Sequence, residues 1–194
     1  NEEEFRLLRD LIYDNCGIYI PDDISYLVER RLKPRLQALE INNFKDYYKM
    51  VRLGRDKKTE IFKIIERITT NETFFFREQN LLNGFAHEIM PDVFTHHKQG
   101  DHIKIWSAGC SSGEEPYTLA MMLDEIPATS VFKIDILGSD ISKHVIEKAE
   151  KGVYRHFSFR NTNPVHIRRY FKQEGNRYHL IDMVKDRVRF EQCN

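Results

Sequence analysis

The chain is poor in the features that mark several kinds of protein. Its 194 residues hold three cysteines, Cys16, Cys110 and Cys193, an odd number at wide spacing. That pattern supports neither a disulfide framework nor a zinc site, and a reducing, cytoplasmic setting is the simplest one for it. No apolar run is long enough to span a bilayer, so no membrane insertion is expected. Lys plus Arg and Asp plus Glu each number 30, and the formal net charge is zero. A neutral chain without a broad basic stripe has no general attraction to nucleic acid or to an acidic membrane. Internal repeats and low-complexity segments are missing. No Ser-His-Asp or Cys-His arrangement announces a nucleophile. His96 and His97 are adjacent, without the spacing of helical metal ligands, and read as part of a solvated linker; no metal is expected. No signal-peptide pattern opens the chain, and with Asn1 rather than Met in first place the true start is expected to lie upstream.

What is present divides in two. Residues 1–70 carry helical periodicity throughout. Phe5, Leu8, Leu11 and Ile12 share one face of a first helix that Gly17 stops. Pro21 and Asp22 open a second, with Leu27, Val28, Leu32 and Leu36 in its apolar stripe and Pro34 expected to kink it or end it early. Asn43 is placed to cap a third helix, and Ile61, Ile64, Ile65 and Ile68 line a fourth. Together they predict a small all-helical domain. Its second helix carries Arg30, Arg31, Lys33 and Arg35 in close succession. Such a run is either a solvated face or a docking surface for an acidic partner.

The most informative stretch is Ile103–Pro116, IKIWSAGCSSGEEP. Ile103, Ile105 and Trp106 read as a buried strand, the small residues Ser107–Gly113 as a turn, and Tyr117, Leu119, Ala120 and Leu123 as the helix that follows. Strand, glycine-rich turn and helix form the opening unit of a doubly wound nucleotide-binding sheet. Gly109 and Gly113 would let the backbone approach a ligand closely. A phosphate loop places Lys and Ser or Thr after its last glycine. Here Glu114 and Glu115 stand there instead. Two carboxylates repel phosphate and suit a ligand with positive charge, such as S-adenosylmethionine, although acids also simply complement a helix N-terminus. A second strand, Phe132–Asp140, ends in an acid where doubly wound folds hold ribose hydroxyls; the plainer role for Asp140 is to cap the helix after it.

Between the two halves lies ITTNETFFFRE, Ile68–Glu78. No helix buries Phe74, Phe75 and Phe76 on one face, so at least one must pack against the second domain or a flat ligand. Arg77 follows at the expected domain junction, where clefts commonly form. Its planar fork suits a bidentate hold on a carboxylate, with Glu72 and Glu78 as the ordinary surface alternative. A helix carrying Leu81, Leu82, Phe85 and Ile89 should give way at Pro91 to the linker. Beyond Asp140 the pattern predicts a helix over 141–149, a short helix from Asn163, extended segments over 177–184 and 187–190, and a hairpin turn at Gly175 and Asn176.

ITTNETFFFRE, IWSAGCSSGEEPYTLAM, ILGSDIS and EKAEKGVY, in this order, resemble the CheR family of chemotaxis-receptor glutamate methyltransferases, and the resemblance runs from Phe5 to the end. It implies an α/β fold: a doubly wound, Rossmann-like S-adenosylmethionine-dependent methyltransferase domain (residues 100–194), preceded by a helical domain (1–70) and a connecting segment (71–99), with a small antiparallel β subdomain near 170–190. It implies cofactor contacts at Asn71, Thr73, Arg77, Glu115 and Asp140, beside Gly109 in the loop. It gives the basic helix a partner in the cytoplasmic helical domain of a receptor, and the reaction a product in S-adenosylhomocysteine. The chain departs from the family in stopping before the strands that complete the sheet, so a fragment is expected, with an unpaired sheet edge. Its compact turn at Glu174–Asn176 also differs from members with a longer, receptor-tethering loop. A glutamate is ionised at neutral pH, its reference pKa being about 4.3, and needs no general base to accept a methyl group. Arg77 is therefore the expected catalytic residue, acting by alignment. A non-catalytic adaptor that binds S-adenosylmethionine, or a methyltransferase with another substrate, remains open at this level.

Overall fold

The structure is a computed structural model and describes residues 2–194. The chain divides into two compact units, the first reaching Thr70 and including Asn194, the second covering Asn71–Cys193.

The first unit is helical. Helix α1 (Glu2–Cys16) buries Leu8, Leu11 and Ile12 and ends where the Gly17 amide donates to the Tyr13 carbonyl at 2.8 Å. A 3-10 turn, Asp22–Ile24, leads into α2 (Ser25–Ala38), whose Val28, Leu32 and Leu36 face inward. Pro34 does not end α2, which continues to Ala38. The ring lies on the exposed face, as does Arg30, whose carbonyl loses its partner one turn back. Water can satisfy that carbonyl, so the helix tolerates the missing donor. Asn43 caps α3 (Phe44–Leu53), its side-chain oxygen accepting from the Asp46 amide at 2.8 Å. The last helix of the unit is α4 (Lys57–Ile68).

One buried carboxylate links three of these helices. Glu60 on α4 accepts from Arg35 Nε and Nη2, each at 2.7 Å, and from the Tyr47 hydroxyl at 2.8 Å. The Arg35 fork holds the Glu60 carboxyl below its usual range, against the opposing effect of burial. The same helix α2 directs Arg31 to the carbonyls of Ile68 and Thr69 and to the Thr70 hydroxyl.

The second unit begins with an irregular segment, Asn71–Glu78, then α5 (Gln79–Gly84), a π-helical turn (Phe85–Ile89) and α6 (Met90–His96). Pro91 therefore sits inside helix, and His96 closes it instead of lying in a linker. The π turn supplies the reason: the Met90 amide reaches back to the Phe85 carbonyl, shifting the bonding register just before a residue with no amide hydrogen. Nor is 71–99 only a connector, because Phe75, Phe76, Leu82 and Met90 are buried in the core of this unit.

Strand β1 (His102–Ala108), α7 (Glu114–Glu125), β2 (Lys133–Asp140) and α8 (Lys143–Lys151) follow. Next come β3 (Val153–Tyr154), α9 (Pro164–Tyr170), β4 (Phe171–Glu174), β5 (Arg177–Leu180), α10 (Asp182–Lys185) and β6 (Val188–Gln192). The main sheet is parallel in the order β1-β2-β6, and the small antiparallel sheet has the order β3-β5-β4. The antiparallel piece thus differs from the expected 170–190 segment. It recruits β3 from residue 153, while β6 joins the parallel sheet and residues 182–185 form a helical turn. Trp106, expected to be buried, is 66% exposed on β1, a strand with one partner, and its indole N–H donates to the Ser139 hydroxyl at 2.9 Å.

Breaking a buried pair by removing one partner typically costs about 3–5 kcal/mol, so Arg35→Ala is expected to destabilise the helical unit by about 3 kcal/mol, near the lower end of that scale. Glu60→Gln should cost less at pH 7. The pH dependence has a definite sign. Because the folded Glu60 carboxyl lies below its unfolded value, its contribution is fully present above about pH 4.3, the reference carboxyl value, and disappears as pH falls through the folded value. Thermal unfolding of wild type and Glu60→Gln should therefore converge in acid; an equal gap at pH 7 and pH 3 would contradict the assignment.

Candidate functional site

The parallel pairing of β1 with β2 sets Ala108 beside Ser139, so the carboxyl ends of the two strands lie side by side. The loop between β1 and α7 is then tied to the end of β2. The Cys110 amide donates to the Ser139 carbonyl at 2.8 Å. Asp140 is buried, and its two carboxylate oxygens accept from the Ser111 and Ser142 amides, each at 2.9 Å. One carboxylate thereby ties the loop to the turn before α8; the N-cap of that helix is Ser142, so Asp140 holds the residue ahead of the helix rather than capping it. Each oxygen retains a lone pair for a further donor.

The two loop glycines differ. Gly109 has φ +72°, and a Cβ there would meet nothing within 4 Å. That is open space beside the loop backbone. At Gly113, with φ +90°, a Cβ would lie 2.8 Å from the Ala149 Cβ and 3.0 Å from the Phe190 ring. Gly113 is thus required for packing α7 against α8 and β6 rather than for approach to a ligand. The two glutamates separate in the same way. Glu114 is buried, accepts from the Ser112 hydroxyl at 2.8 Å and the Ser158 hydroxyl at 3.0 Å, and burial pushes its carboxyl up from the usual range. Glu115 is exposed at the mouth of the loop and accepts from the Ser107 hydroxyl at 2.6 Å.

The segment carrying Asn71, Thr73 and Arg77 is drawn to this loop. The Ser111 hydroxyl donates to the Asn71 carbonyl at 3.1 Å, and the Phe76 amide to the Thr118 hydroxyl of α7 at 3.2 Å. Ser111, with φ +50°, bridges Asp140 and Asn71; nothing in a run of small residues singles it out. Phe75 packs its ring edge-on to Tyr154 and Phe171 and stacks on Phe159, answering where the consecutive aromatics go. Arg77 is half exposed, with Nη1 donating to the Glu72 carbonyl at 2.9 Å and Nε 3.6 Å from the Glu78 carboxylate. In the helical unit the four basic residues of α2 divide: Arg31 and Arg35 are engaged in holding the unit together, while Arg30 and Lys33 are exposed.

Asn71, Gly109, Glu115 and Asp140 thus gather about one loop. The chemistry fits an adenosyl group joined to a cationic amino acid rather than a nucleoside phosphate. No lysine or arginine lies within Ser107–Pro116 to meet phosphate, an exposed carboxylate is available for an ammonium, and the space at Gly109 is free. Among the described residues no group of His, Cys, Asp and Glu is placed to hold a metal.

Loop, parallel sheet and acidic strand end define a methyltransferase domain of the S-adenosylmethionine-binding kind. The comparisons agree: residues 71–194 match the CheR methyltransferase, SAM binding domain, and residues 3–69 the CheR methyltransferase, all-alpha domain. The chain belongs to the CheR methyltransferase family. Chemotaxis protein methyltransferase 2 of Vibrio cholerae is 34% identical, over 100% of this chain and 67% of its own length. Chemotaxis protein methyltransferase of Borreliella burgdorferi is 33% identical, over 100% of the chain and 70% of its own. The Escherichia coli chemotaxis protein methyltransferase is 34% identical, over 88% and 57%. The chain therefore spans roughly two thirds of the first two relatives.

Asp140→Ala is expected to weaken binding of S-adenosylhomocysteine at least about tenfold, on the scale of a lost charge-assisted hydrogen bond. It should also lower stability by about 1–3 kcal/mol, since two buried amides lose their acceptor. Calorimetry and thermal unfolding read the two effects separately, and unchanged affinity with reduced stability would leave Asp140 a purely structural group.

Proposed function

We propose that this protein transfers a methyl group from S-adenosylmethionine to glutamate side chains in the cytoplasmic helical domain of chemotaxis receptors, giving glutamyl methyl esters for sensory adaptation. The observation that carries this reading is the gathering of Asn71, Glu115 and Asp140 around the Gly109 loop within a CheR methyltransferase chain. The cofactor supplies a sulfonium-activated methyl, and its transfer to a carboxylate oxygen exchanges a carbon–sulfur bond for a carbon–oxygen bond without moving a proton.

The protein's own task is therefore alignment and exclusion of water. Asp140 and Glu115 take the hydroxyl and ammonium ends of the cofactor, with Asn71 and Thr73 completing the contacts. Arg77 presents a guanidinium fork that can hold a carboxylate at two points. The exposed Arg30 and Lys33 meet an acidic receptor surface, while Arg31 and Arg35, committed within the helical unit, hold the helix that presents them. No helix among the described residues is long and apolar enough to cross a membrane, which suits a protein that works in the cytoplasm on a receptor's inner domain. Neutral net charge does not favour a nucleic-acid substrate.

Methyl label transferred to a purified receptor fragment should be released by mild base, as an ester is. Label stable to base, or none transferred, would contradict the reading. Arg77→Lys keeps the charge and loses the fork; the methylation rate should fall about a hundredfold, the scale of a misplaced reactant, with little change in thermal stability. Wild-type turnover and wild-type cofactor affinity together would return Arg77 to the surface. Reversal of Arg30 and Lys33 to Glu should slow receptor association and flatten its salt dependence. Unaltered methylation at low salt would make these two residues merely solvated.

A further inference from the structure

Arg77 stands on an unusual piece of backbone. Phe76 before it and Glu78 after it both have φ +56°, the left-handed region that side chains other than glycine rarely adopt. Two such residues flanking one arginine cost energy that surrounding contacts must offset. On the carboxyl side of the segment the offset is visible: the Phe76 ring lies 4.5 Å from the His166 ring at 8°, and its amide is held by Thr118.

On the amino side, the residues after β3 provide it. The Phe75 amide donates to the Ser158 carbonyl at 2.9 Å. Arg160 Nη2 donates to the Glu72 carboxylate at 2.7 Å, and its guanidinium lies 3.7 Å from the Phe74 ring centre and 4.4 Å from that of Phe157. Arg160 is thus clamped between two rings while gripping Glu72. The Glu72 carbonyl is in turn the acceptor for Arg77 Nη1. A continuous chain runs from Phe157 through Arg160 and Glu72 to Arg77. Arg160 is well removed in sequence from Arg77 and reaches it through Glu72.

We infer that Arg160 is a positioning residue for the transfer reaction: it holds Glu72 and Phe74 so that Arg77 is presented in one orientation. This rests on the role proposed for Arg77. The requirement is for a planar cation. A guanidinium stacks on two rings and still donates in its plane, whereas the compact ammonium of lysine loses the stacked geometry. Glu72 serves as the link, so its carboxylate and its carbonyl face different partners.

The test is a kinetic double-mutant cycle with the full-length protein and a receptor fragment. Arg160→Lys should lower kcat about ten- to a hundredfold, the upper figure being that of a reactant misplaced by about an ångström, while S-adenosylhomocysteine affinity changes no more than it does in Arg77→Lys. Glu72→Gln, on an exposed side chain, should produce a kcat loss in the same direction. The diagnostic outcome is non-additivity: once Arg77 is Lys, adding Arg160→Lys should slow the enzyme little further. Additive losses in the cycle, or full kcat in Arg160→Lys and Glu72→Gln, would overturn the inference. If Arg160→Lys does not fold, the cycle is run with Glu72→Ala, which removes the acceptor that Arg160 holds. Wild-type protein that fails to methylate the receptor fragment would instead defeat the proposed function, so the two failures are distinguishable.

Discussion

The candidate site depends on one buried carboxylate. Asp140 ends β2 and accepts from two amides, Ser111 in the loop after β1 and Ser142 at the start of α8. Hydrogen bonds to a charged acceptor are among the stronger ones in proteins, and leaving the two buried amides without a partner would be costly. Held to Asp140 by its amide, Ser111 adopts a left-handed conformation, and its hydroxyl reaches the Asn71 carbonyl. In the proposed site one group serves both stability and cofactor placement, so changes at Asp140 must be read by affinity and by unfolding together.

The helical unit shows the same economy of charge. Glu60 is buried and acceptable because Arg35 and Tyr47 satisfy it. Arg31 satisfies the end of α4 by donating to the carbonyls of Ile68 and of the C-cap residue Thr69. A basic run that reads as a single face in the sequence is divided by the helix: residues 31 and 35, four apart, face α4, while 30 and 33 face water. Any acidic partner would meet a smaller cluster than the run suggests.

Much of this was legible because it depends on local chemistry. The caps at Asn43 and Asn163, the stop at Gly17 and the turn at Gly175 and Asn176 are decided within a few residues. The strand–loop–helix unit and the acid at the end of the second strand likewise declare themselves by spacing. Pro34 and Pro91 did not, because one has water to satisfy its orphaned carbonyl and the other follows a π turn, neither of which periodicity reveals. The division of labour between Glu114 and Glu115 was hidden as well. Adjacent residues at a helix start differ in burial only once α7 has packed, with Ser158 brought to Glu114 from 44 residues away. Arg160 and Ser111 were unreadable for the same reason: their partners are assembled by tertiary structure.

The central claim is that the cofactor sits among the segment Asn71–Arg77, the loop Ser107–Glu115 and the turn Ser139–Lys143. Amide hydrogen exchange, with and without saturating S-adenosylhomocysteine, locates it directly, because a bound ligand suppresses local opening where it makes contacts. Slower exchange in those three segments, with little change in α3 or in the β4–β5 hairpin, is the predicted result. Protection that leaves the Ser107–Glu115 loop unchanged while appearing elsewhere in the chain would contradict the account.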